Sequence, residues 1–359
     1  MKTIYIVPIE PIDSRYTKQW YENIPKIIGD RITELSLDPF EVVTIAGEGA
    51  NNETTNGAFL DFATTNYYKA AQVQAISELF MHNRVKAGDK FLVTDAWNFA
   101  ITAIRYMSDL LDIPVEIHGI WHAGHYDPTD ILGMKMRKDW PPHQERAWFH
   151  ACDYNWYATN FHKNMFLTNL EIDRDQCYKA RRSGQPHEYI IPQLEALAHT
   201  EKQHKLIWPH RYNADKQPEI AEELKTDFDV VITAKMSLNK QAYYKELASS
   251  QVIFSCALHE NLGISIMEAV LAGVIPVLPD RCSYAEMYPD AFKYPSNWTS
   301  SVDNFLVYKP KLVEFIRDRM HHPEKYAKDL EMAQWTIKNA YLNCTLMLDQ
   351  LLEIGRAHV

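Results

Sequence analysis

The chain has 359 residues, enough for two ordinary domains with cores of their own, and its 46% apolar and 23% charged residues describe a globular protein, not a disordered one. A formal net charge of −10 excludes a protein that coats nucleic acid without selection, which needs a net basic footprint, but leaves room for a local basic patch. There is no apolar run of the roughly 18 residues that a membrane span requires, and the opening MKTIYIVPIEPIDS turns acidic too soon for a signal peptide. Five cysteines (Cys152, Cys177, Cys256, Cys282, Cys344) lie scattered without pair spacing, which suits reduced, buried thiols in a cytoplasm.

Thr3 to Ile9 is an almost continuous apolar run, fit for a buried parallel strand. The EPIDSRYTKQW that follows contains no Gly, and its Arg15 and Lys18 read either as surface charges or as phosphate contacts. Pro25 to Leu37 has a helical pattern, Phe40 to Gly47 reads as a second strand, and Glu48 to Gly57 as a polar exposed loop. Helical periodicity returns over Ala70 to Phe80. Lys90 to Trp97 is a strand ending in Asp95 and Trp97, and a helix runs from about Phe99 to Leu111. Open α/β sheets place ligands at the carboxyl ends of their strands, so Asp95 and Trp97 are candidates for substrate contact. The alternative is that Asp95 caps the following helix.

Val115 to Pro128 carries His118, His122 and His125, but with no Cys or second carboxylate nearby to complete a tetrahedral set, no metal site is expected. Met134 to Arg146 is the most basic window, with Trp140 among Lys135, Arg137, Lys138 and Arg146. That mixture suits phosphate contact with base stacking, or a solvated face. Arg181 and Arg182 could extend the same face. Cys152 to Leu167 reads as a strand and helix completing the first domain's sheet. Glu188 to Leu197 resembles a crossing point and 199–204 a polar linker, giving a first domain over 1–192 and a second over 205–329. Asp227 to Ala234 and Gln251 to Ala257 are strands, with a helix between them over Lys240 to Ser250. Tyr308 to Met320 and Pro323 to Leu352 are helical, the latter with an apolar face through Leu330, Trp335, Ile337, Leu346 and Leu351.

Two stretches of the second domain carry chemistry. In LIWPHRYNADKQPE, a short strand runs into His210 and Arg211, with Lys216 five residues further on. An Arg fork and a Lys point charge at a strand end can converge on one diphosphate; singly, each reads as a solvated loop residue. In FSCALHENLGISIMEAVLAGVIPVLP, a strand, a turn, a helix opening near Gly263 and a second strand surround Glu260 and Glu268. Glu268 lies in an apolar segment where an unpaired carboxylate is costly, and ribose hydroxyls could supply its donors. The N–H groups of Asn261, Leu262 and Gly263 open a helix and form a candidate anion site. The alternative is that Glu260 is a helix-terminus carboxylate and Glu268 is paired with some Arg.

Together the two stretches resemble the retaining nucleotide-sugar glycosyltransferases of GT-B fold (glycosyltransferase family 4-like), in which an Arg-x4-Lys pair holds the donor diphosphate and a Glu-x7-Glu motif holds ribose and sugar. Arg211 with Lys216, and Glu260 with Glu268, match in order and spacing. The wording WPHR, DK and PE, then HE, G, MEAV and Tyr284, Glu286 and Pro289, is similar to transferases that mannosylate queuosine in tRNA. The opening strand with TDAW and IHGIWHAG resembles glycosyltransferases of tailed phages, which often sugar-coat hydroxymethylated pyrimidines in their DNA. The resemblance implies an α/β protein with two Rossmann-like domains facing across a cleft, the second binding nucleotide. The last helix, from about 330, would pack back on the first domain. It implies that His122 hydrogen-bonds the donor sugar, that His125 and Asp127 line the acceptor side with Asp95 and Trp97, and that Lys135, Arg137 and Lys138 form a nucleic-acid rim. The expected co-substrate is a UDP-sugar, with no further cofactor and no metal, and the expected partner is DNA bearing a 5-hydroxymethylpyrimidine, in a host cytoplasm. Transfer to tRNA queuosine, a small molecule or a glycan, and sugar-nucleotide binding or epimerisation without transfer, are the alternatives.

Overall fold

The computed structural model describes residues 1–13, 15–50, 54–55, 58–136 and 138–354. Part of the expected 48–57 loop therefore lies outside the described residues, as does Arg137. The chain divides into two compact units, Met1–Pro186 with Cys344–Val359, and His187–Asn343.

The first unit is built on a parallel sheet of β1 (Thr3–Val7), β2 (Glu41–Thr44), β3 (Lys90–Val93), β4 (Glu116–Ile120), β5 (Tyr154–Tyr157) and β6 (Ala180–Arg182), in the order β2-β1-β3-β4-β5-β6. Ile6 lies opposite Thr44 on one side and Leu92 on the other. β1 and β3 are buried at every position, as strands covered on both faces must be, which is why they read as unbroken apolar runs. Phe91, Ile101, Trp121, Trp148 and Phe166 fill the core. The chain goes from β1 outward to β2 and returns on the other side to β3, so the sheet's direction switches between β1 and β3. Ligands of open α/β sheets bind outside the carboxyl ends at such a point.

Two expectations are corrected in this unit. The first helix spans Tyr16–Glu34, with Pro25 inside it instead of opening it. A proline in a helix interior costs about 3 kcal/mol. Thr17, Trp20, Ile24 and Ile28 are buried along one face of that helix, and each large apolar side chain returns roughly 1.5–3 kcal/mol, so burial wins. The second helix likewise starts early, at Thr64, and runs to Met81. At the chain's end, Asp349 pairs with Arg31 at 3.0 Å and Glu353 with Lys2 at 2.8 Å.

The second unit holds β7 (Gln203–Trp208), β8 (Asp229–Ile232), β9 (Ser250–Phe254), β10 (Ile275–Pro279) and β11 (Lys293–Tyr294), all parallel, in the order β11-β10-β9-β7-β8. Its switch point lies between β7 and β9. Leu206, Trp208, Phe254, Val277 and Ile316 are among its core. The single helix expected over Pro323 to Leu352 is instead a short 3-10 turn, a helix Ala327–Thr336, a π-helical turn Ile337–Tyr341 and a helix Thr345–Leu351. The wide π turn shifts the helical register, so the expected apolar face does not exist as one stripe. Ile337 and Leu351 are fully buried, while Trp335 is 65% and Leu346 53% exposed. Among the described residues no helix is long and apolar enough to cross a membrane, and the five cysteines are all free thiols.

Candidate functional site

In the second unit, the residues after β7 and β9 meet at the sheet's switch point. β7 ends at Trp208 and delivers His210, which is buried, with its Nε2 2.8 Å from Ser255 Oγ just beyond β9. Ser255 Oγ lies 3.1 Å from Tyr284 OH, and Tyr294 OH donates to the Ser255 carbonyl at 2.8 Å. Burial, then the neighbouring Lys216 charge, pushes His210 down to about 3, so it is neutral and serves as a hydrogen-bonding strut.

Lys216 is buried and held by three acceptors: the His259 carbonyl, Asp215 Oδ2 at 3.2 Å and Glu260 Oε2 at 3.3 Å. Burial alone would lower its pKa, but Glu260 and Asp215 overcome that and raise it. Burial works the other way on Glu260, and the Lys216 charge and hydrogen bond overcome it, holding the carboxyl down at about 2. Arg211 is half-buried, and its charge reaches both His210 and Lys216. The structure thus brings Arg211, Lys216 and Glu260 together.

The other oxygen of Glu260 faces the helix Ile264–Leu271. Oε1 accepts from Gly263 N–H at 2.9 Å and from Leu262 N–H at 3.5 Å. This corrects the expectation of an open anion site over Asn261, Leu262 and Gly263: the Leu262 and Gly263 donors already serve Glu260, because a side chain so near a helix start reaches the exposed N–H groups first. Gly263 has φ +78°, and a Cβ there would stand 2.9 Å from the Tyr284 ring, so only glycine fits.

Glu268 is buried within the same helix, and its Oε1 accepts from Lys240 Nζ at 2.6 Å and Tyr244 OH at 3.1 Å. Its donors therefore come from the Lys240–Ser249 helix, and the cation is a lysine where an arginine was the alternative considered. Two residues that the sequence did not mark hold the loops in place. Gln217, at φ +51°, donates to the carbonyls of Cys256 and Thr299 at 2.6 and 2.7 Å. Arg281 donates to the carbonyls of Ala257, Cys256 and Ser296 at 2.7, 2.7 and 2.8 Å. Neither carried a local signal: a residue before proline is pushed toward extended backbone, and Gln217 before Pro218 is instead left-handed.

In the first unit, the strand ends on either side of the switch point carry a second cluster. His122, just past β4, hydrogen-bonds the Thr94 carbonyl through Nε2 at 2.7 Å. Its Nδ1 lies 3.2 Å from Tyr16 OH and 3.3 Å from Gln185 Nε2. Since the carbonyl can only accept, Nε2 carries the proton and Nδ1 is the acceptor, and burial lowers the ring's pKa. His118 points elsewhere, to Glu116 at 2.8 Å and to the Trp156 indole at 3.1 Å. Among the described residues no group of three or more His, Cys, Asp or Glu could hold a metal ion.

Asp95 is buried and accepts from Lys69 Nζ at 2.7 Å, while Trp97 N–H reaches its other oxygen at 3.2 Å. It does not cap the next helix, where Asn98 accepts from Ala100 N–H at 2.9 Å. Burial raises the Asp95 carboxyl, but the Lys69 charge and hydrogen bond, with the Trp97 N–H, outweigh it and the net shift is downward. Asp127 Oδ1 accepts from the N–H and hydroxyl of Thr129, closing a turn. The His125 and Tyr126 N–H groups donate to Glu145, a residue the sequence did not single out. In the basic window Lys135, with Nζ 5.9 Å from the Phe62 ring centroid, and Lys138 are exposed, as is Trp140 at 47%. Arg146 is instead tied down, donating to the Leu170 carbonyl at 2.6 Å. Arg181 lies over the Tyr154 ring as part of β6.

No family model matches this chain. A curated tRNA-queuosine alpha-mannosyltransferase from Drosophila melanogaster is 29% identical over 114 residues, covering 23% of this chain and 30% of the relative, so the chain spans less than a third of that relative's length. An alpha,alpha-trehalose-phosphate synthase (UDP-forming) from Burkholderia vietnamiensis superposes with a TM-score of 0.62 at 11% identity over 99% of both chains. HepE from Anabaena, in complex with UDP-glucose, superposes with a TM-score of 0.56 at 12% identity over 100% of both chains. With two parallel α/β sheets and such neighbours along its whole length, the chain is an α/β protein of the GT-B fold.

Proposed function

We propose that this chain transfers a sugar from a nucleoside-diphosphate sugar, most simply a UDP-sugar, to a hydroxyl carried by a modified nucleobase, with retention at the anomeric carbon. The observation that carries the reading is the meeting of Arg211, Lys216 and Glu260 at the carboxyl ends of β7 and β9. Lys216 is shared among three acceptors, and both ion-pair distances exceed the roughly 2.7–2.9 Å of a tight charge-assisted bond. Its ammonium and the Arg211 guanidinium are suited to stabilise a departing diphosphate, whose growing charge is the main electrostatic demand of the reaction. Glu260 is held ionised and fixed by the Gly263 N–H, ready to orient sugar hydroxyls. Glu268 stands deeper in the same helix as the candidate for the ribose, and His122 is the first unit's candidate for the sugar.

The acceptor we favour is a 5-hydroxymethylpyrimidine in phage DNA. It would be reached by flipping the base out of the stack, with exposed Lys135, Lys138 and Trp140 at the rim and Asp95, Trp97, His125 and Asp127 toward the base. The likeness to a tRNA-queuosine mannosyltransferase favours queuosine in tRNA as the second reading. Incubation with a panel of nucleotide sugars and either duplex DNA with and without 5-hydroxymethylcytosine or 5-hydroxymethyluracil, or queuosine-containing tRNA, followed by nucleoside mass spectrometry, decides between them. A hexose or pentose adduct confined to the hydroxymethylated base supports the first, an adduct on queuosine the second, and no adduct with any donor refutes transfer to nucleobases. Glu260→Gln should lose turnover while still binding UDP-sugar; a protein that only binds nucleotide sugar has no turnover to lose.

A further inference from the structure

Glu145 sits within the helix Trp140–Ala151, in the basic window, where a glutamate would ordinarily face water. It is fully buried. Among the described residues no Lys or Arg pairs with it, and a buried carboxylate without a cation must find hydrogen-bond donors or take up a proton. Three N–H groups meet it. The Trp97 indole and the His125 backbone donate to Oε1 at 2.9 and 2.5 Å, and the Tyr126 backbone donates to Oε2 at 3.0 Å. Trp97 follows β3; His125 and Tyr126 follow β4.

The fit is close enough to constrain the sequence around it. A Cβ on Gly124 would lie 2.6 Å from Glu145 Oε1. The loop is pinned from its far side as well, by Tyr126 OH against His162 Nε2 at 2.5 Å and by Asn169 donating to the Tyr126 carbonyl at 2.8 Å. We infer that Glu145 is a positioning residue for acceptor binding: its carboxylate ties the Trp97 indole and the 122–127 loop into one surface, and proton uptake by Glu145 loosens that surface. This rests on the reading that the first unit takes the acceptor.

The charged group acting on Glu145 is Asp130, just before the helix Ile131–Lys135; Tyr126 and Tyr157 from β5 border it, Asp127 and His162 act on Tyr126, and Lys69, bound to Asp95, reaches the Trp97 carbonyl. Burial pushes the Glu145 carboxyl up to about 7, with the three N–H donors opposing. Oε1 accepts two N–H groups and Oε2 one, so a proton goes to the second lone pair of Oε2 and turns that oxygen into the weaker acceptor of a carboxyl O–H, loosening the Tyr126 N–H bond. The ionised form therefore keeps the loop, and acceptor use rises as pH rises through this range.

The test compares the full chain with its Glu145→Gln variant. In ¹⁵N-indole spectra of the nine tryptophans, with Trp97 identified by Trp97→Phe, the Trp97 resonance should titrate near pH 7 in the native protein and stay still in Glu145→Gln. With UDP-glucose and a 5-hydroxymethylcytosine duplex, Glu145→Gln should raise the acceptor KM about tenfold, as loss of a charged hydrogen bond does. The UDP-glucose KM, and UDP-glucose hydrolysis without acceptor, should not change. Should Glu145→Gln fail to fold, the native protein alone carries the test: its acceptor KM must fall as pH rises over the same range in which the Trp97 resonance titrates, and an acceptor KM independent of pH overturns the inference. A Trp97 resonance that does not titrate, or that behaves alike in both proteins, overturns the inference, as does a rise of donor and acceptor KM together. A titrating resonance without transfer to any acceptor supports the geometry and refutes the transferase reading instead.

Discussion

Both units place a buried lysine on a carboxylate at the carboxyl ends of their sheets, Asp95 buried in the first and Glu260 half-buried in the second, and the two pairs are built differently. In the first unit Lys69 meets Asp95 and the Trp97 carbonyl, both at 2.7 Å, and its bonds are as short as such bonds become. In the second, Lys216 stands between Asp215 and Glu260 at 3.2 and 3.3 Å, with the Arg211 charge beside it. The first pair is closed and fixes a loop. The second leaves two cations near one another, and an added phosphate could draw them while Glu260 keeps its Gly263 N–H. On the proposed function, the same residue types would serve structure in one place and anion handling in the other, with contact length and a neighbouring guanidinium making the difference.

Breaking each pair should separate the two roles. Lys69→Met strands Asp95 in the interior and should cost about 3–5 kcal/mol of stability, read by denaturant unfolding, with UDP-sugar affinity of the remaining folded protein unchanged. Lys216→Met should cost somewhat less, about 3 kcal/mol, because Glu260 keeps its Gly263 N–H, and it should also lose donor affinity. The pH dependence has a definite sign. The folded-state Glu260 carboxyl is depressed to about 2 from its ordinary 4.5, so it contributes stability that is fully present above pH 4.5 and is lost as pH falls toward 2. Lys216→Met removes the chief cause of that depression, so the acid-unfolding midpoint should rise. Equal acid midpoints in the two proteins would mean that the Lys216–Glu260 interaction is not what holds the site.

Gly263→Ala sharpens the comparison from the backbone side, since the second site depends on a left-handed residue at its helix start and the first does not. A side chain at φ +78° against the Tyr284 ring should cost about 2 kcal/mol and disturb the Glu260 contact, lowering both the melting temperature and donor affinity. That glycine was legible in the sequence, as were β1, β3 and the strands flanking the acidic motif, because buried parallel strands need unbroken apolar runs. The three-residue β6 was not, since Ala180, Arg181 and Arg182 pair at a sheet edge where no alternation is required. Trp20 was hidden by Pro25, which signals a helix start and here sits in a helix interior. Glu145 was hidden because a charge in a basic helix reads as solvated; only tertiary packing brings Trp97, His125 and Tyr126 onto it. The partner of Glu268 was hidden for the same reason: the need for donors is local, but their source in the Lys240 helix is not.

Arg211→Ala is expected to have the smallest effect on the fold and the most selective effect on function. Arg211 is half-buried just past β7, so its removal should cost less stability than breaking either lysine pair, about 1 kcal/mol, the common size for a single substitution. Its positive charge opposes protonation of both His210 and Lys216, so without it the Lys216 ammonium should be held slightly more firmly in its charged form. What it would lose is a planar fork toward a diphosphate, about tenfold in UDP-sugar affinity for a charge-assisted hydrogen bond. Arg211→Lys should recover only part of it, since a point charge cannot reproduce the fork. Calorimetry with UDP, then with a UDP-sugar, checks this directly. If Arg211→Ala binds UDP as tightly as the native protein, the second unit's cations do not converge on the diphosphate, and the contrast between the two lysine pairs becomes one of packing alone.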